Sequence, residues 1–264
     1  MTQIKHLQSV LLQMMKDIDS FCRNNGIEYY LFAGTALGAK RHGGFIPWDD
    51  DLDIALTPQN YDKFISLAKV ELNNEKYYFQ EGETDWPEHF SKVRLRNTHI
   101  REKGEYFLGN GKDGIYIDIF RVDYASNNKI GRMLQYFLGK LWLAYNQKSK
   151  GYHSNSISKK IILKVAGLLA FRPIYHFVRN NYLKYNASST KWIADVMGRT
   201  RWNTAFIPSN YYGTPTEINF EGESFFAPEY LHEYLQCYYG DYMQLPPIEK
   251  RKGLHIESID FGNY

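Results

Sequence analysis

The run Trp48-Asp49-Asp50-Asp51-Leu52-Asp53-Ile54-Ala55-Leu56 constrains this chain more than any other stretch. Four of its carboxylates stand within five positions, and the residues that follow are apolar enough to be buried. Like charges about 4 Å apart repel by roughly 4 kcal/mol at an effective dielectric near 20, so a half-buried cluster of this kind needs a compensating cation. In an extended strand, side chains two apart share a face. Asp49, Asp51 and Asp53 are therefore expected to converge while Leu52 and Ile54 point into a core. The fold must then hold a sheet that delivers carboxylates to one side and hydrocarbon to the other.

The flanking sequence supplies the rest of such a sheet. Ile27 to Phe32 (IEYYLF) reads as a strand, Ala33-Gly34-Thr35 as a tight turn into a short helix, and Gly43, Gly44 and Pro47 as breaks before the acidic strand. Thr57-Pro58 is an N-cap and N1 pair that starts a helix over QNYDKFISLAKVEL. In HFSKVRLRNTHI, Val93 and Leu95 alternate with Lys92, Arg94 and Arg96. In GIYIDIFRVD, Ile115, Ile117 and Ile119 face one way and Tyr116, Asp118 and Phe120 the other, which sets Asp118 as a carboxylate in an apolar strand. Ile4, Leu7, Leu11, Met14, Ile18 and Phe21 form one stripe of an N-terminal amphipathic helix. Polar residues interrupt every apolar run there, which is not the pattern of a signal peptide. Near the end, PEYLHEYLQCYYG reads as a helix closed by Gly240.

Three features belong together chemically: the Gly34-Thr35 turn, the acidic strand with Asp51 and Asp53, and the lone Asp118. A divalent cation with oxygen ligands would neutralise the carboxylates and bridge phosphate oxygens during an in-line displacement. A glycine turn lets backbone approach a phosphate, and the Thr35 hydroxyl can donate to it. Arg41, His42, Lys92, Arg94 and Arg96 are the cations expected to neutralise the rest of a diphosphate. Plainer readings stand beside these. Asp118 fits a local cap, Lys92 and Arg94 fit a solvated strand face, and His42, His89 and His255 fit structural histidines. A calcium loop is disfavoured because the D-x-D-x-D-G pattern is missing.

Charge is unevenly spread. From Tyr124 to Ala194 there are twelve basic residues and no Asp or Glu, so all 29 acidic residues lie elsewhere, against the remaining 20 basic ones. Residues 129–191 read as a basic helical insert in a core made of 1–128 and 192–264, all within one domain. Its apolar run 161–171 holds Lys164 and is too short to span a bilayer. Its composition suits either a solvated basic helical face or a peripheral contact with anionic headgroups. No nucleic-acid motif accompanies it, and no nucleic-acid partner is expected. Cys22 and Cys237 are too few for a disulfide framework and lack metal-ligand spacing, which fits a reducing compartment and leads to the expectation of a cytoplasmic chain; the basic insert adds the expectation of a peripheral position on the inner face of the membrane.

The block GTALGAKRHGGFIPWDDDLDI closely resembles the LicD family signature. SKVRLRNTHI, GIYIDIF and the tail FFAPEYLHEYLQCYYGDYMQLPPIEKRKGLH resemble later blocks of that family in the same order. The resemblance covers most of the chain outside the basic insert. It implies a nucleotidyltransferase-like α/β (α+β) fold, a mixed sheet flanked by helices, shared with the fukutin and fukutin-related proteins. Carried over, the superfamily's turn and D-x-D strand fall on Gly34, Thr35, Asp51 and Asp53, with Asp118 as third carboxylate and Asp49 assisting. Thr35 stands where a serine-like residue is usual, and the interval from Thr35 to Asp51 is long for the superfamily. The resemblance further implies Mg²⁺ or Mn²⁺ held by Asp49, Asp51, Asp53 and Asp118. The implied reaction is transfer of a phospho-alcohol, phosphocholine foremost, from a CDP-activated donor to a glycan hydroxyl, with a lipid-linked acceptor in view. Phosphoribitol transfer, nucleotidyl transfer releasing pyrophosphate, and a non-catalytic membrane-associated adaptor are the alternatives. Trp86, Trp202, Tyr211 and Tyr212 are candidate aromatic faces for choline.

Overall fold

The stripe on the first helix decides which face of the sheet becomes core. The computed structural model describes residues 2–72, 74–86, 88–102, 113–149, 156–196, 201–253 and 256–264; Lys150 and His255 lie outside them. In chain order the elements begin α1 (Gln3–Asn24), β1 (Tyr30–Leu31), α2 (Ala33–His42), β2 (Asp53–Leu56), α3 (Pro58–Glu71), β3 (Tyr77–Gln80), β4 (Ser91–Leu95), β5 (His99–Glu102) and β6 (Tyr116–Arg121). They continue β7 (Asp123–Ala125), α4 (Lys129–Ser149), α5 (Ile157–Ala166), α6 (Arg172–Leu183), β8 (Trp192–Ala194), β9 (Phe206–Pro208), β10 (Thr216–Phe220), β11 (Glu223–Ala227), α7 (Leu231–Tyr239) and β12 (Ile256–Asp260). This is a mixed α+β architecture, as expected.

Two compact units result. The first comprises Met1–Asp85, Phe90–Arg121 and Tyr211–Tyr264. Its main sheet has the order β1-β2-β6-β4-β3, with β2 and β6 parallel and every other pair antiparallel. Register partners share a face, so Phe79, Val93 and Ile117 form one row on one side of the sheet. That side is covered by α1 and α3, where Phe21 meets Phe64 edge-on at 5.4 Å and Phe64 meets Phe79 at 6.0 Å. Leu7, Leu11, Met14 and Ile18 of α1 are buried as the stripe requires. Burial of this kind contributes roughly 1.5–3 kcal/mol per large apolar side chain. Hairpin β10–β11 and the pair β12–β5 complete the unit.

Two local expectations change. The strand expected over Ile27–Phe32 forms its ladder only at Tyr30–Leu31, and the acidic strand starts at Asp53, not at Asp49. The reason is a competing partner: the Gln8 amide on α1 donates to the carbonyls of Ile46 (3.1 Å) and Asp49 (3.0 Å). Asp49 N–H closes a turn on Ile46 O at 2.9 Å. These hydrogen bonds hold residues 46–49 in a loop rather than a ladder. Likewise Gly34 and Thr35 are no free turn but the first turn of α2, which ends at Gly43 in the left-handed conformation, φ 69°.

The second unit comprises Trp86–His89 and Val122–Asn210. Helices α4, α5 and α6 pack beside the sheet β7-β8-β9. The core holds Trp142, Leu169, Val178, Tyr182, Ala194 and Phe206. Buried Gln135 on α4 donates to Tyr124 O and Tyr182 O, both at 2.9 Å, so the helix is tied to β7 and α6 by hydrogen bonds as well as by packing. The unit thus contains strands in addition to the basic helices.

Candidate active site

The sheet face opposite α1 and α3 carries a polar row in register across four strands: Gln80 on β3, Lys92 on β4, Asp118 on β6 and Asp53 on β2. Sheet register alone makes Asp53 and Asp118 neighbours, although the chain between them is long. Lys92 Nζ sits 3.0 Å from Asp118 Oδ1, with both side chains almost fully buried, and 3.2 Å from the centre of the Tyr116 ring. A buried carboxylate so paired is retained at the cost of desolvating both groups, which marks the pair as more than a solvated strand face. Arg94 is also buried, but it is committed: Nε donates to Gln80 Oε1 at 2.7 Å and Nη1 to Gly114 O at 3.1 Å. It shapes the face by orienting Gln80.

Above β2 lies the N-terminal turn of α2. Thr35 is buried, and its Oγ1 accepts from the Asp53 N–H at 2.9 Å. This bond fixes α2 to the first residue of the acidic strand. A Cβ built on Gly34 would meet Asp49 Oδ2 at 3.2 Å, so glycine leaves the room that the Asp49 carboxylate occupies beside the helix start. Ala33 takes a positive φ of 43°, a conformation that costs an L-residue roughly 1–2 kcal/mol. Its N–H donates to the hydroxyl of buried Tyr234 on α7 at 3.1 Å, which helps hold the strained start in place.

Asp49, Asp50 and Asp51 bring one carboxylate oxygen each within 4.8 Å of one another. Burial, then the charges of Asp51, Asp118 and Asp49, push the Asp53 carboxyl well above its usual range, with Lys92 alone pulling it back. An oxygen-only set of crowded carboxylates, whose charges raise the proton affinity of Asp53, fits a hard divalent cation. Asp50 was missed by period-two reasoning, which assigned it to the far face of a strand. In the loop it is buried, and a Cβ on Gly253 would meet its Oδ2 at 2.9 Å.

Arg41 and His42 stand at the opposite end of α2 from Gly34 and Thr35, roughly 10 Å away along the axis. Arg41 Nη1 donates to Tyr242 O at 2.8 Å, yet the guanidinium still feels Asp49. Exposed His42 meets Trp48 edge-on at 6.4 Å, and burial together with Arg41 holds its imidazole below the ordinary value. Arg251 lies 5.8 Å from the Trp48 ring and repels Arg41. It is a further cation near the acidic loop, whose signal was the basic cluster Lys250-Arg251-Lys252. Aromatic rings bound the face: Phe90 stacks on Phe120 at 4.5 Å and Phe120 meets Phe32 at 5.1 Å. Of the expected choline-facing rings, Tyr212 is buried between Tyr30 and Tyr234, and Trp86 and Trp202 belong to the second unit.

A family profile described as LicD/FKTN/FKRP, nucleotidyltransferase domain, matches residues 26–157, which include every carboxylate named above. The lipopolysaccharide cholinephosphotransferase LicD of Haemophilus influenzae is 29% identical over 263 residues, 96% of this chain and 96% of its own. The ribitol 5-phosphate transferase FKRP of Mus musculus is 25% identical over 167 residues, 61% of this chain and 27% of its own. An uncharacterized protein of Rickettsia prowazekii is 52% identical over 46 residues, 17% of each chain.

Proposed function

Because the chain belongs to the LicD/FKTN/FKRP nucleotidyltransferase-domain family and is a phosphotransferase, we propose that it moves a phospho-alcohol from a cytidine-diphosphate donor to a hydroxyl of a cell-surface glycan, releasing CMP. Phosphocholine is the preferred group, given a cholinephosphotransferase similar over nearly the whole chain; phosphoribitol is second, given the similarity to a ribitol 5-phosphate transferase. The acceptor is taken to be of lipopolysaccharide, teichoic acid or capsule type. One observation carries the reading: the Asp49–Asp51 loop and the parallel neighbours Asp53 and Asp118 gather their charge at one point of a sheet.

Mg²⁺ or Mn²⁺ held by carboxylates among Asp49, Asp50, Asp51 and Asp53 would offset that charge and polarise a diphosphate oxygen. The acceptor oxygen bonds to the phosphorus that carries the alcohol, and the bond from that phosphorus to the CMP oxygen breaks. Asp118 receives the hydroxyl proton, its position held by Lys92. Gly34 leaves room for the Asp49 carboxylate beside the start of α2, and the Thr35 hydroxyl, which accepts from the Asp53 N–H, retains its proton for a phosphate oxygen. Lys92 is the cation in register with Asp118, whereas Arg94, on the same face, is engaged by Gln80 and the Gly114 carbonyl. Catalysis of this kind is mostly positioning and electrostatics.

The test is CMP release from a panel of CDP-linked alcohols with Mg²⁺ or Mn²⁺, with and without a glycan acceptor. Asp51→Asn should lower the rate by at least about 100-fold while the protein stays folded. Pyrophosphate in place of CMP would assign nucleotidyl transfer instead. A folded Asp51→Asn protein with the wild-type rate would remove Asp51 from the chemistry, and a wild-type protein that releases neither CMP nor pyrophosphate across the panel would favour an adaptor.

A further inference from the structure

Helix α4 has a buried face and, opposite it, an exposed apolar one. Gln135, Gly139, Trp142 and Asn146 face the core of the second unit, whereas Ile130, Met133, Leu134 and Phe137 recur at three-four spacing on the other side and are exposed, Phe137 by 62%. The next helices repeat the pattern. On α5, Ile157, Ile161 and Val165 follow one another at every fourth position, and Leu168 continues the stripe past the helix end. Phe171 and Phe177 are each 64% exposed at the start and middle of α6. Exposed large side chains in such number are not the surface that water selects.

Lysines flank the same stripes. Lys159, Lys160 and Lys164 are exposed on α5, Lys148 at the end of α4 and Arg172 at the start of α6, in a stretch with no carboxylate between residues 124 and 194. Apolar side chains bordered by cations, with no anion among them, complement one surface above others: an anionic bilayer, whose headgroups take the lysines and whose acyl boundary takes Ile and Phe. Nucleic acid would be met by the charge but not by the exposed Phe and Ile. No single helix among the described residues is long and apolar enough to cross a membrane; the segments Ile157–Ala170 and Arg172–Ala187 reach that length and composition only together and are bent by 105° at their junction, so a span is the alternative that experiment must separate.

We propose that α4, α5 and α6 form a peripheral docking surface for anionic lipid, with α5 and the start of α6 seated at the headgroup level. Flotation of the full chain with vesicles tests this without any transfer assay. Binding is expected to phosphatidylcholine vesicles containing phosphatidylglycerol, not to phosphatidylcholine alone, and to be released near 1 M salt, where the Debye length is about 3 Å. Replacing Lys159, Lys160 and Lys164 together by Gln should weaken binding by roughly 100-fold, and replacing them by Arg should preserve it. Ile161→Ser with Phe171→Ser should weaken it while leaving its salt dependence. Thermal unfolding checks that each variant is folded. Equal binding to neutral vesicles, no binding, or indifference to the Gln variant would overturn the proposal. So would retention after alkaline carbonate washing, which indicates a span, or a stable dimer in solution dispersed by Phe171→Ser, which gives the face to a second copy.

Discussion

Thr35 stands at the junction of α2 and β2, and a single hydroxyl makes that junction. Thr35→Val keeps the shape but leaves the Asp53 N–H without its acceptor, which should cost about 1–3 kcal/mol of stability and lower transfer activity, whereas Thr35→Ser should keep most of both. Denaturant melts of the two variants separate these outcomes; equal losses would mean that the methyl group matters as much as the hydroxyl and would refute the special role of the hydroxyl. Lys92 invites a sharper trial. Lys92→Met strands a buried carboxylate at Asp118 and should cost about 3–5 kcal/mol, and Asp118→Asn in the same chain should restore much of that stability without restoring activity. A Lys92→Met protein as stable as the wild type would show the pair to be incidental.

Among elements, α1 does more than bury a stripe. Asp17 on α1 pairs with Lys76 and accepts from the Tyr77 hydroxyl at 2.6 Å, tying the helix to the start of β3. Burial works against the Asp17 anion, but the hydrogen bonds from Lys76 and Tyr77 prevail and hold its carboxyl below the ordinary 3.8. A carboxyl depressed on folding contributes stability that is complete above the unfolded value and is lost as pH falls through the folded one. The melting temperatures of wild type and Asp17→Asn should therefore differ at neutral pH and converge as pH falls below 3.8; a constant gap would refute this. The same helix explains what could and could not be read in the sequence. Its three-four stripe, the alternation of β4 and β6 and the Thr57-Pro58 helix start are local patterns, and the elements they announce formed. The conformation of Asp49–Asp51 depends on Gln8, a residue far upstream whose side chain no periodicity marks. Hence Asp50, discarded by period-two reasoning, joins the carboxylate group. Arg94 likewise shows its charge in sequence, but its partner Gln80 comes from sheet register.

At the scale of the molecule, two units with separate cores should respond separately to core damage. Trp142→Ala removes the largest side chain of the second core and should cost about 3–5 kcal/mol. Hydrogen exchange should then quicken at β7, β8 and β9 and remain slow at β2 and β6, because local stability follows local packing. Exchange quickened equally in both sheets would mean that the chain unfolds as a single cooperative block.

The register that sets Asp53 beside Asp118 also dictates when the chemistry can exist. Pairing β2 with β6 closes a loop of about 65 residues, at an entropic cost of roughly 3–4 kcal/mol, and the strained start of α2 is met by a tyrosine near the other end of the chain. The acidic loop and its supports are therefore local in space and distant in sequence: a growing polypeptide carries Asp49 to Asp53 first, gains the Asp118 neighbour about 65 positions later and the Tyr234 hydroxyl later still. The polar face is thus complete only when segments far apart in the sequence have been brought together.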